Sequence, residues 1–185
     1  MMEFLELAKN RYSERSFASK SLEEEILYKI LEAGRIAPTA CNYQPQRFYV
    51  LKSKEALAKA AGLTYTYNAP VVILVCYLSA EAWHNPRDGF CSGDMDASIA
   101  ASSMMFEAED LGVHSIWLRG FDAGKVQEAL ISQLRLSLHS CWRLVIRVRI
   151  RSLISCTARE NLWKSSWLSY KGERAPENEG LEWLE

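Results

Sequence analysis

The chain has 185 residues, of which 49% are hydrophobic and 24% charged, fractions that are typical of one globular domain and exclude a disordered or collagen-like protein. Its 22 basic and 23 acidic side chains give a formal net charge of -1, so no overall field attracts nucleic acid or an anionic membrane. The longest apolar run, residues 70–78, is much shorter than the roughly 20 residues that cross a bilayer.

The hydrophobic pattern predicts a mixed α and β chain without repeats or a domain linker. Helices are expected over residues 2–9, 21–36, 53–61, 95–111 and 123–130, and strands over 47–51, 70–78 and 114–119. Ser21 followed by Glu24 forms a capping-box pattern, and Gly62 and Gly112 are placed to end two of the helices. The polar stretch 79–93 predicts a surface loop, and the single domain is expected to span 1–185.

The N-terminus and the cysteines indicate the compartment. The first ten residues include Glu3 and Glu6 where a secretory signal would be basic, and no apolar core follows, which predicts a cytoplasmic protein. Five cysteines without close pairs predict reduced thiols. Neither these cysteines nor the histidines have the spacing of metal ligands, and no metal is expected.

The segment 11–15 is a candidate anion site. It contains Arg11, Ser13 and Arg15, and two guanidiniums with a hydroxyl can donate several charge-assisted hydrogen bonds to one phosphate. No GxGxxG turn and no Walker-type loop is present, so a bound nucleotide would need such a segment. The pentapeptide alone fits a solvated basic turn at least as well.

A second candidate lies at residues 37–48, a proline-bounded loop just before a predicted strand. Its amides, Asn42 and Gln44, each combine a donor and an acceptor, which suits the carbonyl and imide edge of a flavin or a base. A turn in which the same amides bond to the backbone is an equally good interpretation of these residues.

Two ordered motifs decide between these interpretations. Arg-x-Ser-x-Arg-x-Phe at 11–17 and Ala-Pro-Thr-Ala-x-Asn-x-Gln-Pro at 37–45 resemble the FMN-dependent nitroreductase family. The resemblance continues through residues 83–89, 94–99 and 104–108 to Trp117 and Phe121, and covers residues 1–130. Several motifs in the same order favour a functional role for both segments. One departure is Gln46, where family members often have an aromatic, so the pocket wall is expected to be more polar.

The resemblance implies an α+β fold with a central, mostly antiparallel sheet flanked by helices, and a homodimer with FMN at the interface. Arg11 and Ser13 would hold the phosphate beside the Tyr12 backbone, and Arg15 would reach the pyrimidine edge. The partner subunit would place four residues over the isoalloxazine ring, with Gln44 supporting their loop. These four are Pro38, Thr39, Ala40 and Asn42.

The resemblance further implies an oxidoreductase in which NAD(P)H reduces the flavin, and the flavin reduces a nitroaromatic, a quinone or a similar small-molecule acceptor. The flavin carries the chemistry, so no catalytic side chain is expected. No nucleic-acid or membrane partner is expected.

The resemblance ends after residue 130, where the family's Gly-Tyr-Pro strand and a later basic pair are missing. Residues 146–151 alternate apolar and Arg side chains, which predicts a strand with one basic face. A shifted reading frame is the preferred interpretation, because the codons from Cys141 onwards permit Leu-Ala-Val-Gly-Tyr-Pro in the neighbouring frame. The stretch 131–170 would then be atypical, and the acidic tail 171–185 disordered. The alternative function is a non-catalytic flavin-binding or inactive dimeric protein.

Overall fold

The central strand of the computed structural model is buried on both of its faces, and the helices are arranged around it. The structure describes residues 3–16, 22–126, 128–129 and 140–141, which belong to one compact unit, Met1–Arg151. The helices are α1 (Phe4–Asn10), α2 (Glu24–Arg35), α3 (Lys54–Leu63), α4 (Gly93–Asp110) and α5 (Ala123–Val126), with short 3-10 turns at Ala40–Asn42 and Ser79–Glu81.

The sheet of the described residues is antiparallel. Its strands are β1 (Gln46–Leu51), β2 (Val72–Tyr77) and β3 (Ser140–Cys141), with β2 in the middle. Gln46 is opposite Tyr77 and Leu51 is opposite Val72, so β1 and β2 pair along their whole length. The α+β architecture with a central, mostly antiparallel sheet is therefore confirmed. The predicted strand beyond Cys141 and the predicted tail lie outside the described residues.

Side chains of β2 alternate between two hydrophobic clusters, as strand geometry requires. Ile73, Val75 and Tyr77 face a cluster that includes Ile30 of α2 and Met104 of α4. The other side chains of the strand pack with Ile116 and Val126. Because both faces are covered, the strand contains an unbroken apolar run. This run is the reason why the sequence predicts a strand at residues 70–78.

Glycine allows α2 and α4 to approach each other closely. A Cβ atom on Gly34 would lie 2.6 Å from the Met104 sulfur and 3.0 Å from the Phe48 ring. At the start of α4, a Cβ on Gly93 would overlap the Tyr77 ring. These two contacts place the start of α4 against the end of β2 and its Met104 region against α2.

Several predictions of element ends were wrong. Helix α2 begins at Glu24 rather than at residue 21, and its N-cap, Glu23, makes no side-chain hydrogen bond to the helix; Ser21 lies outside the described residues. Helix α3 continues through Gly62 to Leu63, and Ser53 caps it by accepting a hydrogen bond from the Ala56 N–H. Gly112, at a φ of 74°, follows the end of α4 as predicted.

Two further predictions differ from the structure. Among the described residues, the stretch predicted as a strand at 114–119 is not a continuous strand; Ser115 forms an isolated parallel bridge with Ser13, and Ile116 also takes part in a bridge. Cys76 is disulfide-bonded, so the prediction of reduced thiols is wrong at this position, whereas Cys41 and Cys91 are free. Within the described part of the chain, no helix has both the length and the apolar character needed to span a bilayer.

Candidate functional site

The arginine segment 11–15 leaves the end of α1 as extended backbone and lies beside the stretch that follows α4. The Glu14 N–H donates to the Ser115 carbonyl at 3.3 Å, and Ser13 forms the bridge to Ser115. Arg15 is exposed, and Arg11 and Ser13 are half-buried. The segment is therefore attached to the fold along one edge, and Arg15 is its exposed residue.

Glu14, which the sequence analysis did not single out, organises this segment. Its side chain is only 6% exposed and accepts three hydrogen bonds, from the Tyr12 hydroxyl at 2.8 Å and from the N–H groups of Arg15 and Ser16 at 2.9 Å each. A carboxylate that accepts several backbone donors stabilises one conformation of the turn. In the sequence, the position of Glu14 between Arg11 and Arg15 is the feature that could have indicated this role.

The same segment contacts the end of α4 through aromatic rings. The Tyr12 ring lies 4.8 Å from the His114 ring, centroid to centroid. His114 Nδ1 is 2.9 Å from the Glu109 carboxylate, and both residues are buried. The position of Tyr12, and with it that of the segment, is thus linked to the last turn of α4.

The amide-bearing loop 38–44 has an unusual backbone. Cys41, Asn42 and Gln44 have φ values of 51°, 56° and 50°, in the left-handed region that residues other than glycine seldom occupy. Asn tolerates this region, but Cys and Gln do so less readily. The conformation turns the Asn42 and Gln44 side chains outward, where both are exposed.

Besides the backbone bonds of its 3-10 turn, side-chain hydrogen bonds hold the loop in this shape. The Thr39 hydroxyl accepts from the Gln44 N–H at 3.0 Å, which closes the loop on itself. Asp96, in the first turn of α4, accepts from the Ala40 N–H at 2.9 Å and from the Ser92 hydroxyl at 2.7 Å. Asp96 is 1% exposed, so the loop is attached to the interior of the protein.

The two predicted groups of site residues do not meet within one chain. The loop 38–44 is attached to the start of α4, and the arginine segment contacts its end. Asp96 and Glu109 are separated by about 20 Å along the helix axis, at about 1.5 Å per residue. The two groups are therefore attached near opposite ends of α4.

A cleft of about 460 Å³ adjoins the loop, lined on one side by Gln44, Gln46 and Arg47 and on the other by Tyr28 and other residues of α2. Gln46 is only 7% exposed, and its side-chain carbonyl oxygen has no hydrogen-bond partner in the described region. Gln46 makes the cleft wall polar at this position. None of residues 11–15 lines this cleft.

Asp94, near the start of α4, is the acidic residue of this region whose pKa is shifted. Burial raises its pKa above the usual 3.8, while a hydrogen bond from Tyr77 and the charge of Arg119 act in the opposite direction. One carboxylate oxygen of Asp94 is buried without a partner among the described groups. No metal-binding cluster of His, Cys, Asp and Glu is found in the described ranges.

Comparisons with known proteins assign this architecture. The family model described as "Nitroreductase family" matches residues 8–66 and 58–148, and so extends beyond residue 130, where the sequence resemblance ended. A protein of Archaeoglobus fulgidus named putative NADH dehydrogenase/NAD(P)H nitroreductase is 30% identical over 70% of this chain and 75% of its own length. One with the same name from Methanothermobacter thermautotrophicus is 31% identical over 63% of this chain, which spans only 60% of that relative's length.

Solved structures agree. A nitroreductase family protein from Clostridium difficile superposes with a TM-score of 0.74 at 36% identity, covering 83% of this chain and 88% of that one. A putative nitroreductase from Desulfovibrio desulfuricans, solved in complex with FMN, has the same fold with a TM-score of 0.67 at 24% identity, covering 89% and 95% of the two chains. From its family match, its relatives and its fold, the chain belongs to the nitroreductase family.

Proposed function

We propose that this protein is an FMN-dependent NAD(P)H oxidoreductase that passes electrons to a nitroaromatic, a quinone or a similar acceptor. One observation carries the proposal: two outward-facing polar segments are each fixed by a buried carboxylate, one rich in cations and one in amides. A phosphate and a heterocyclic ring need these two kinds of group. The names of the relatives, and the FMN bound by the Desulfovibrio protein, support the same assignment.

The residues fit the parts of FMN. Arg11 and Ser13, with the Tyr12 backbone, would bind the phosphate, because guanidinium and hydroxyl groups donate charge-assisted hydrogen bonds to it. Arg15, which is exposed, would lie at the pyrimidine edge and stabilise negative charge there. When bound, FMN accepts a hydride from NAD(P)H and passes reducing equivalents to the acceptor.

The ring-binding loop would come from a second copy of the chain. Pro38, Thr39, Ala40 and Asn42 of the partner subunit would cover the isoalloxazine ring, and the partner subunit's Gln44 would support this loop. The attachment of the two groups near opposite ends of α4 supports a shared site, because each end could then serve a different flavin. The proposal includes a homodimer, and it places the protein in the cytoplasm, where NAD(P)H is available as reductant.

The test is a titration with two ligands that differ only in the phosphate. The purified protein is titrated with FMN and with riboflavin by flavin fluorescence, and the loaded protein is mixed with NADPH and a nitroaromatic. We expect bleaching by NADPH and reoxidation by the acceptor. A colourless protein that takes up no added FMN would refute the proposal.

Arg11→Ala is the sharpest variant for the phosphate. Loss of one charged hydrogen bond should weaken FMN binding by about tenfold or more and leave riboflavin binding unchanged, because riboflavin has no phosphate. Lys9→Ala removes an exposed cation two residues earlier and is the matched control. Equal losses for FMN and riboflavin in Arg11→Ala would mean that Arg11 does not bind the phosphate.

The second candidate function, an inactive or purely flavin-binding dimer, depends on residues 131–185. We propose that a shifted reading frame produced this part of the chain, since the neighbouring frame permits the family's Gly-Tyr-Pro strand. Sequencing the gene across codons 125–172 tests this proposal directly. If the nucleotides in the offset frame cannot encode that strand, the frameshift proposal is wrong.

A further inference from the structure

We propose that Asp96 is a positioning residue for the ring of the flavin: its buried carboxylate holds the loop 38–44 in the shape that presents Asn42 and Gln44. The inference rests on the proposed function, because it concerns the same site. Nothing in the sequence motif alone distinguishes Asp96 from Asp94, two residues earlier on α4. The distinction comes from what each carboxylate contacts.

The contacts of Asp96 point to the loop. One of its oxygens accepts the Ala40 N–H and the other accepts the Ser92 hydroxyl, which is itself fully buried. No described residue forms an ion pair with Asp96. A carboxylate in the interior without a cation is unfavourable unless its oxygens are hydrogen-bonded, and its place in the first turn of α4 adds the favourable field of the helix N-terminus.

The loop needs such an attachment. Three non-glycine residues within four positions occupy the left-handed region, and a strained backbone persists only when its surroundings hold it. The Thr39–Gln44 hydrogen bond lies within the loop and cannot fix the loop against the rest of the protein, and the bond that the Arg47 side chain donates to the Gln44 carbonyl is exposed and joins residues only three positions apart. The bond between Ala40 and Asp96 connects residues 56 positions apart and does fix it.

The experiment compares Asp96→Ala, Asp96→Asn and the control Asp94→Asn in the full chain. Dissociation constants for FMN and riboflavin are measured by flavin fluorescence, and hydrogen exchange of the peptide covering residues 38–44 is measured without flavin. Asp96→Asn keeps an oxygen that accepts the Ala40 N–H. Asp94→Asn changes a neighbouring carboxylate that does not contact the loop.

We expect Asp96→Ala to weaken FMN and riboflavin binding equally, by about tenfold or more, because a charged hydrogen bond to the ring-binding loop is lost. Exchange of the loop amides should accelerate. Asp96→Asn should bind both flavins within about threefold of the wild type, because its amide oxygen still accepts the Ala40 N–H. Asp94→Asn should change neither measurement. If Asp96→Ala fails to fold, Asp96→Leu, which has a similarly branched side chain without an acceptor, should cause the same equal loss.

The experiment distinguishes failure of the positioning role from failure of the proposed function. If the wild type binds flavin and Asp96→Ala binds it as tightly, or loses affinity for FMN alone, the positioning role is wrong and the proposed function stands. If the wild type binds no flavin, the proposed function fails and the positioning role fails with it. Unchanged exchange of the loop amides in Asp96→Ala would overturn the inference whatever the flavin titrations show.

Discussion

Asp94 and Asp96 carry the same side chain on the same turn of α4, and their surroundings give them different chemistry. Both oxygens of Asp96 accept hydrogen bonds, whereas one oxygen of Asp94 is buried without a partner in the described structure. Burial therefore raises the pKa of Asp94. A carboxyl group whose pKa is higher in the folded than in the unfolded state binds its proton more tightly when folded.

The pH dependence of stability follows from this shift. Below its usual pKa of 3.8 the Asp94 carboxyl is neutral in both states and has no effect. As the pH rises through its folded pKa, the unfolded state ionises more readily, and stability is lost. We expect the free energy of unfolding of Asp94→Asn, relative to that of the wild type, to increase as the pH is raised from about 3 to about 7, as measured by urea unfolding. A difference that does not vary with pH would contradict this assignment.

At the same scale, the sequence identified the groups that face outward but not those that hold them. Arg15, Asn42 and Gln44 stood out because their side chains suit phosphates and heterocycles, and all three are exposed. Glu14 and Asp96 were missed as anchors. Asp96 acts on a residue 56 positions away, and no local pattern encodes such a pairing.

At the scale of elements, glycine-to-alanine substitutions in α2 and α3 should change the free energy of unfolding in opposite directions. Gly34→Ala adds a methyl group against Met104 and Phe48, and we expect overpacking to outweigh the better helix propensity of Ala, with a net loss of about 1 kcal/mol. Gly62→Ala, in α3, meets no atom within 4 Å, and should instead gain about 0.5–1 kcal/mol. Both values are read from urea unfolding at a fixed pH. A stabilised Gly34→Ala would show that α2 and α4 can move apart without cost.

Elements with strong apolar patterns were predicted well, and their ends were not. Strand β2 and helix α4 are found within two residues of the expected positions, because burial selects their side chains along the whole element. Gly62 was expected to end α3 and lies inside it, since a glycine costs little in an exposed helix position. The stretch after α4 was expected to be a strand from its apolar residues, and within the described ranges it shows bridge pairing at Ser115 and Ile116 rather than a continuous strand.

At the scale of the whole molecule, a shared site can be tested by mixing two defective chains. In the proposed two-fold dimer, each site takes Arg11 from one subunit and Asn42 from the other. In a heterodimer of Arg11→Ala and Asn42→Ala chains, one site therefore contains both substitutions and the other contains neither. Random assembly should restore native FMN affinity at about one quarter of the sites. The species measured should have twice the 21.1 kDa mass of the chain.

The controls are the two single variants alone, in which every site carries a defect. No recovery on co-expression, despite heterodimers being present, would contradict the shared arrangement. Tight FMN binding by a species of 21.1 kDa would contradict it as well.

The attachment of both polar segments to α4 has a consequence for such a dimer. The loop held at the start of the helix would serve one flavin, and the arginine segment at its end would serve the other. Each copy of α4, whose 18 residues span about 27 Å, would then connect both flavin sites. Ordering one end when the first flavin binds would also order the other, so the second flavin should bind more tightly than the first.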